Sequence, residues 1–188
     1  DGIRDYKVTG VQTCALPIFR ENNIWVEQVD GQGKPARLTS DGTTSAEGEI
    51  INGTFDWVYE EEFDCRDGWD WSPDGKSVAY WQIDTRGVPR FTMINQTDGR
   101  YPKLTSFAYP KTGERNSLCR VGVVSATGGA TTWMKVPGDT RVDGYIPKME
   151  FTPDGKGIAL QRFNRLQNRN DVMLANPATG EEIGRAHV

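Results

Sequence analysis

The sequence predicts an all-β fold, a partial β-propeller of about three to four blades of antiparallel sheet. Three observations predict it. Short strand-like stretches recur between Gly, Pro and Asp turn signals, helical periodicity is nearly absent, and one hairpin is written twice. The two copies are WSPDGKSVAY, Trp71–Tyr80, and FTPDGKGIAL, Phe151–Leu160, 80 positions apart. Blade repeats run roughly 40 to 50 residues, so this offset corresponds to about two blades. A sandwich has no reason to repeat one hairpin at that distance.

Taken in chain order, strands are expected at Ile24–Val29, Val78–Ile83, Arg90–Asn95, Val121–Val124, Thr131–Val136, Ile158–Phe163 and Asp171–Ala175. In each repeated hairpin, Pro73 or Pro153 presets φ for a turn and Gly75 or Gly155 accepts the positive φ that closes it. A second echo, a strand ending in a turn and a Leu-Thr step, starts at Val29 and again at Asn95, and NPATGEEI from Asn176 begins the same way.

The chain has 188 residues, 36% hydrophobic, and a formal net charge of −4. No apolar run approaches the roughly 18 to 20 residues of a membrane helix, and the acidic balance argues against a general nucleic-acid binder. One His and three Cys rule out most zinc-site spacings, and no metal or cofactor is implied.

Both ends read as translated sequencing-library DNA and are set aside from fold reasoning. Val8–Ile18 (VTGVQTCALPI) back-translates to a short-read adapter. Asp1–Asp5 fits the preceding part of the same oligonucleotide, with Tyr6 and Lys7 in the index slot. Glu182–Val188 (EIGRAHV) is largely the reverse complement of the CALPI end. The expected organisation is therefore 1–18 adapter-derived, 19–181 native and 182–188 adapter-derived. The native segment then has 163 residues and keeps the charge of −4, because the ends carry three acids and three bases. It loses Cys14 and His187, so no Ser-His-Asp or Cys-His arrangement can be assembled within it. An arc of three or four blades does not close, which predicts poor solubility or partial folding for the segment alone.

The segment Asn52–Gly75 breaks the strand pattern and concentrates aromatics with acids. Glu60, Glu61 and Glu62 are consecutive. A run of carboxylates commonly marks a solvated face. A sharper reading has Trp57, Tyr59, Phe63, Trp69 and Trp71 shielding the cluster, so that the crowded charges require a cation. A primary ammonium suits, because its three donors serve two carboxylates at once. Such a site selects a free amino terminus.

At these residues the chain resembles a family. DWVYEEE, Asp56–Glu62, leading into the WSPDG hairpin, is similar to the dipeptidyl peptidase IV group of the prolyl oligopeptidase-like serine peptidases. RDGWDWSPDGKSVAYWQID from Arg66, YPKLTSFAYPKTGERNS from Tyr101, RVGVV from Arg120, DGYIPKMEF from Asp143 and RFNRLQNRNDVML from Arg162 follow in the same order as in bacterial members. The resemblance implies an eight-bladed propeller over an α/β-hydrolase domain. It also implies that a glutamate pair on a short helical excursion anchors the substrate α-ammonium, so that the serine releases an N-terminal dipeptide. That pair falls on Glu61 and Glu62; Glu60 is carried over with no ligand role. The catalytic Ser, Asp and His would lie downstream, so the segment alone is expected to be inactive. The implied partners are a peptide with a free N-terminus, the hydrolase domain of the parent chain and a second copy in a homodimer, with a periplasmic or secreted parent.

Other residues carry open readings. Arg66, four positions beyond Glu62, reads as a structural ion-pair partner. Arg162, Asn164, Arg165, Gln167, Asn168 and Arg169 read as loop solvation at a strand end, the alternative being a propeller loop that faces the catalytic domain. Cys65 and Cys119 are either buried free thiols or a disulfide favoured by export. Asn52 and Asn95, in Asn-x-Thr matches, are expected in turns and without glycans. The other function class is a non-catalytic propeller that binds protein or glycan partners.

Overall fold

The computed structural model describes residues 15–30, 33–43 and 49–187. Fourteen strands and one helix follow in order: β1 (Ala15–Arg20), β2 (Asn23–Gln28), β3 (Ala36–Arg37), β4 (Ile50–Asn52), α1 (Trp57–Phe63), β5 (Trp69–Trp71), β6 (Ser77–Asp84), β7 (Arg90–Asn95), β8 (Lys103–Ala108), β9 (Leu118–Ser125), β10 (Thr132–Trp133), β11 (Gly144–Phe151), β12 (Ile158–Asn164), β13 (Asn170–Ala175) and β14 (Glu182–His187). They build three consecutive antiparallel blades: β1-β2-β3; β10-β9-β6 with β4 and β5 both paired to β6; and β11-β12-β13-β14. A separate two-stranded ribbon, β7-β8, stands off the blades. The fold is thus the expected all-β partial propeller.

The middle blade shows why the blades stack. Along β6, Ala79, Trp81 and Ile83 join the core shared with the third blade, while the alternate residues Val78 and Tyr80 join the core shared with the first. Period-two alternation sends successive side chains to opposite faces, and here both faces are covered. The strand therefore reads as an almost continuous apolar run, as buried strands do. Specific bonds tie the third blade to the second. The Trp81 indole Nε1 donates to Ile146 O at 2.8 Å, and Asp70 Oδ2 accepts from Phe151 N at 3.1 Å.

The repeated hairpin is repeated in three dimensions. Asp74 Oδ1 accepts from Ser72 Oγ (2.8 Å) and Lys76 N (3.1 Å); Asp154 Oδ1 accepts from Thr152 Oγ1 (2.6 Å) and Lys156 N (3.1 Å). Gly75 and Gly155 share φ = 69°. These side-chain bonds mimic a backbone turn and hold the carboxylates below the usual Asp range. The echo beginning at Asn95 has a different fate from the other two, since it forms the tip of the β7-β8 ribbon and joins no blade strands.

Several expected strands gain residues, and others emerge that the alternation did not announce: β1, β3, β4, β5, β8, β11 and β14. Two of these, β4 and β5, are three residues each, too short for a period to show. Thr131–Val136 shrinks to β10, two residues long. Of the ends read as adapter-derived, residues 1–14 and Val188 lie outside the described residues. Ala15–Ile18 sit in β1 and Glu182–His187 form β14, paired to β2 and β13.

Candidate ligand site at the excursion helix

The helix α1 is looped out of an edge strand. β4 and β5 both pair with β6, and between them Gly53 N donates to Trp81 O (2.9 Å) while Trp81 N donates to Gly68 O (3.0 Å). The base of the excursion is closed by Gly68 N on Gly53 O at 3.2 Å. Both glycines are required there. Gly53 has φ = 83°, and a Cβ on Gly68 would lie 2.6 Å from the carbonyl carbon of Gly53.

Asp56 starts the helix. Its backbone is extended and its Oδ1 accepts from Tyr59 N at 3.2 Å, an N-cap that satisfies one free amide. Oδ2 accepts from Ser117 Oγ at 2.5 Å, which locks the excursion to the start of β9. Burial pushes the Asp56 carboxyl above its ordinary range, and the bond from Ser117 opposes the shift. Tyr59, fully buried one position into the helix's inner face, accepts from Ile146 N through its hydroxyl at 3.1 Å and so docks α1 on β11. Phe63, one turn on, packs on Tyr145 with ring centroids 4.9 Å apart. With Tyr59 and Phe63 inward, the intervening acids point outward.

Glu61 and Glu62 are both exposed. Glu62 lies one turn beyond Val58, and both line a cavity of about 1030 Å³ between α1, the ribbon and the β12-β13 turn. Glu61 is not among its lining residues. Glu60 is half-buried; burial raises its carboxyl, and Arg66 opposes this. Arg66 is an ion-pair partner, as expected, but its acids are Glu60 (3.8 Å) and Asp64 (3.1 Å). The left-handed C-cap at Asp64 turns the chain back, which brings Arg66 beside Glu60 instead of one turn beyond Glu62.

The expected aromatic shield is only partly assembled. Trp57 lines the cavity and packs on Tyr109 with centroids 4.3 Å apart. Tyr59 and Phe63 are core residues beneath the helix. Trp69 and Trp71 pack against the other core, shared by the first two blades, because β5 resumes the blade after the excursion closes. The rings that share the cavity with Glu62 come from elsewhere: Tyr109, and Phe91 and Phe107 of the ribbon. Sequence reasoning missed these, along with Asn116 and Tyr145. The one signal for them was the aromatic content of the ribbon strands.

The polar cluster after β12 also divides. Arg165 and Gln167 line the cavity with Glu62, and Arg165 Nη2 donates to Glu114 O at 2.8 Å. Arg162 and Arg169 instead pair with buried Asp171. Cys65 and Cys119 are free thiols. Burial raises the Cys65 thiol to about 11 and pushes Cys119 up as well. Asn52 is fully buried in β4, donating to Asp41 Oδ1 at 3.0 Å, so the expected turn there is a strand. Asn95 ends β7 and orders the ribbon tip.

The sequence model of the "Dipeptidyl peptidase IV (DPP IV) N-terminal region" matches residues 7–185. The chain belongs to that family. It is 34% identical over 184 residues to mouse "Inactive dipeptidyl peptidase 10", covering 96% of this chain and 22% of that protein. It is 38% identical over 165 residues to mouse "Prolyl endopeptidase FAP", covering 81% and 20%. Among solved structures, Porphyromonas gingivalis dipeptidyl peptidase 4 superposes with a TM-score of 0.80 at 30% identity, over 93% of this chain and 24% of that one. The chain thus spans about a fifth to a quarter of the relatives it matches.

Proposed function

We propose that this chain is the part of a dipeptidyl-peptidase-IV-like serine exopeptidase propeller that gates access and binds the substrate's N-terminal ammonium through Glu61 and Glu62. The observation that carries the reading is the excursion helix. A seven-residue helix is pinned by Asp56, Tyr59 and Phe63, so the acids after Tyr59 are presented on a rigid mount instead of a loose loop. Two carboxylates on adjacent positions can each accept one hydrogen bond from the ammonium, leaving the peptide bonds at a set distance downstream. A serine in the parent's hydrolase domain would then meet the second bond.

Exposed in this chain, each carboxylate would contribute only about 0.2 to 1 kcal/mol to an ion pair. Covered by the catalytic domain, removal of one costs about 2 to 5 kcal/mol. The test uses the parent protein, recovered by reading the native gene past 1–18 and 182–188, which we hold to be adapter-derived. Glu61→Ala and Glu62→Ala are expected to lower kcat/KM on X-Pro substrates by about 30-fold or more, with N-acetylated substrate ignored. Unchanged kcat/KM in both variants sinks the reading.

A second reading, a non-catalytic binding propeller, draws support from the similarity to mouse "Inactive dipeptidyl peptidase 10". Under it, the parent shows no peptide release and amine blocking changes nothing. Two further expectations accompany the first reading. A homodimer would have an apolar surface ready in the ribbon, where Ile94 and Leu104 are 59% and 65% exposed; sedimentation of the parent tests it. A Cys65–Cys119 disulfide in an oxidised parent is tested by counting thiols after denaturation.

A further inference from the structure

The cavity beside α1 holds two donors without acceptors. Asn116 is 4% exposed and its amide Nδ2 has no hydrogen-bond partner, although its backbone N is satisfied by Arg141 O at 3.0 Å. Arg165 is preset by its bond to Glu114 O and by its guanidinium lying 5.7 Å from the Tyr145 ring centroid, yet its buried Nη1 is also unpartnered. Both side chains line the same cavity. Buried donors are nearly always paired in native proteins, and an unpaired one carries a desolvation cost that an incoming acceptor removes. Neither group has a role in the ammonium reading.

The lining also defines what fits. Arg165 and Lys111 are cations and Glu62 is the acid at the same cavity, so an anionic acceptor is favoured inside and an ammonium beside Glu62. Trp57, Phe107 and Tyr109 supply ring faces and edges for a planar apolar group. About 1030 Å³ is room for a ligand of one to a few residues. We propose that this cavity is a binding site for an aromatic zwitterion, a free aromatic amino acid or a short peptide ending in one, whose carboxylate pairs with Asn116 and Arg165. The inference goes beyond the ammonium reading, because Asn116 and Arg165 recognise the opposite end of the ligand.

Calorimetry on the parent protein, its active serine blocked by a covalent reagent, tests this with four probes: phenylalanine, Gly-Phe, phenethylamine and 3-phenylpropionate. Phenylalanine or Gly-Phe is expected to bind, with the tighter of the two identifying the source. Phenethylamine, lacking the carboxylate, is expected to bind at least about tenfold more weakly. Phenylpropionate is also weakened, through loss of the Glu62 pair. Arg165→Met should weaken the better zwitterion about tenfold and leave phenethylamine unchanged. Equal binding of phenethylamine and phenylalanine in the unaltered protein overturns the proposal without recourse to any variant. So does failure of both zwitterions to bind at millimolar concentration. Activity loss in the Glu61 and Glu62 variants is read separately, so the two readings can fail independently.

Discussion

At the scale of single residues, Asp56 does more than the acids it precedes. It caps α1, receives the Ser117 hydroxyl and is buried, so its carboxyl titrates above the ordinary range. A carboxyl with a raised folded-state value contributes stability that is full below the ordinary Asp range and is lost as pH rises through the raised value. Asn is an equally good N-cap and carries no charge. Asp56→Asn is therefore expected to raise the melting temperature of the parent by about 1 °C at neutral pH, since a given stabilisation shifts a longer chain less, with the gain vanishing toward pH ~4. A gain that is the same at both pH values would show that burial of the charge is not its cause. The DWVYEEE string announced this segment in the sequence, but the partner did not: Ser117 is 61 positions away and unremarkable in its own neighbourhood.

Among the elements, the two excursions of the middle blade behave differently. α1 is a closed loop whose base is two glycines bonded to each other, and nothing larger fits at Gly68. Gly68→Ala should force the base apart and cost about 2–4 kcal/mol, measured as the urea midpoint of the parent, together with a rise in KM as the acids lose their mount. An unchanged midpoint would mean that the base opens without penalty. The ribbon meets α1 through Trp57 on Tyr109, and the rings of Phe91, Phe107 and Tyr109 pack on one another along its own face. Its strand at Arg90–Asn95 was legible as a strand. That it leaves the blade was not, since alternation is the same in a ribbon and in a sheet.

The molecule as a whole is an arc of blades with the middle one covered on both faces and the outer two covered on one. Large apolar side chains of residues 19–181 stay exposed, among them Phe19, Val29 and Leu166. The isolated segment 19–181 is expected to melt broadly and to associate, whereas the parent gives a sharp transition; a sharp, concentration-independent melt of the segment alone would refute this. Alternation, turn chemistry and the repeated PDG hairpin are local properties, carried by residues within a few positions of each other, so the sequence alone determined the all-β class, the blade repeat and the acidic motif. The cavity was decided only by the tertiary structure. Its parts, Glu62, Tyr109 with Asn116, and Arg165, come from three separate stretches of chain. What brings them together is the docking of one blade on the next and the ring contacts of two excursions, long-range packing that leaves no period in the sequence.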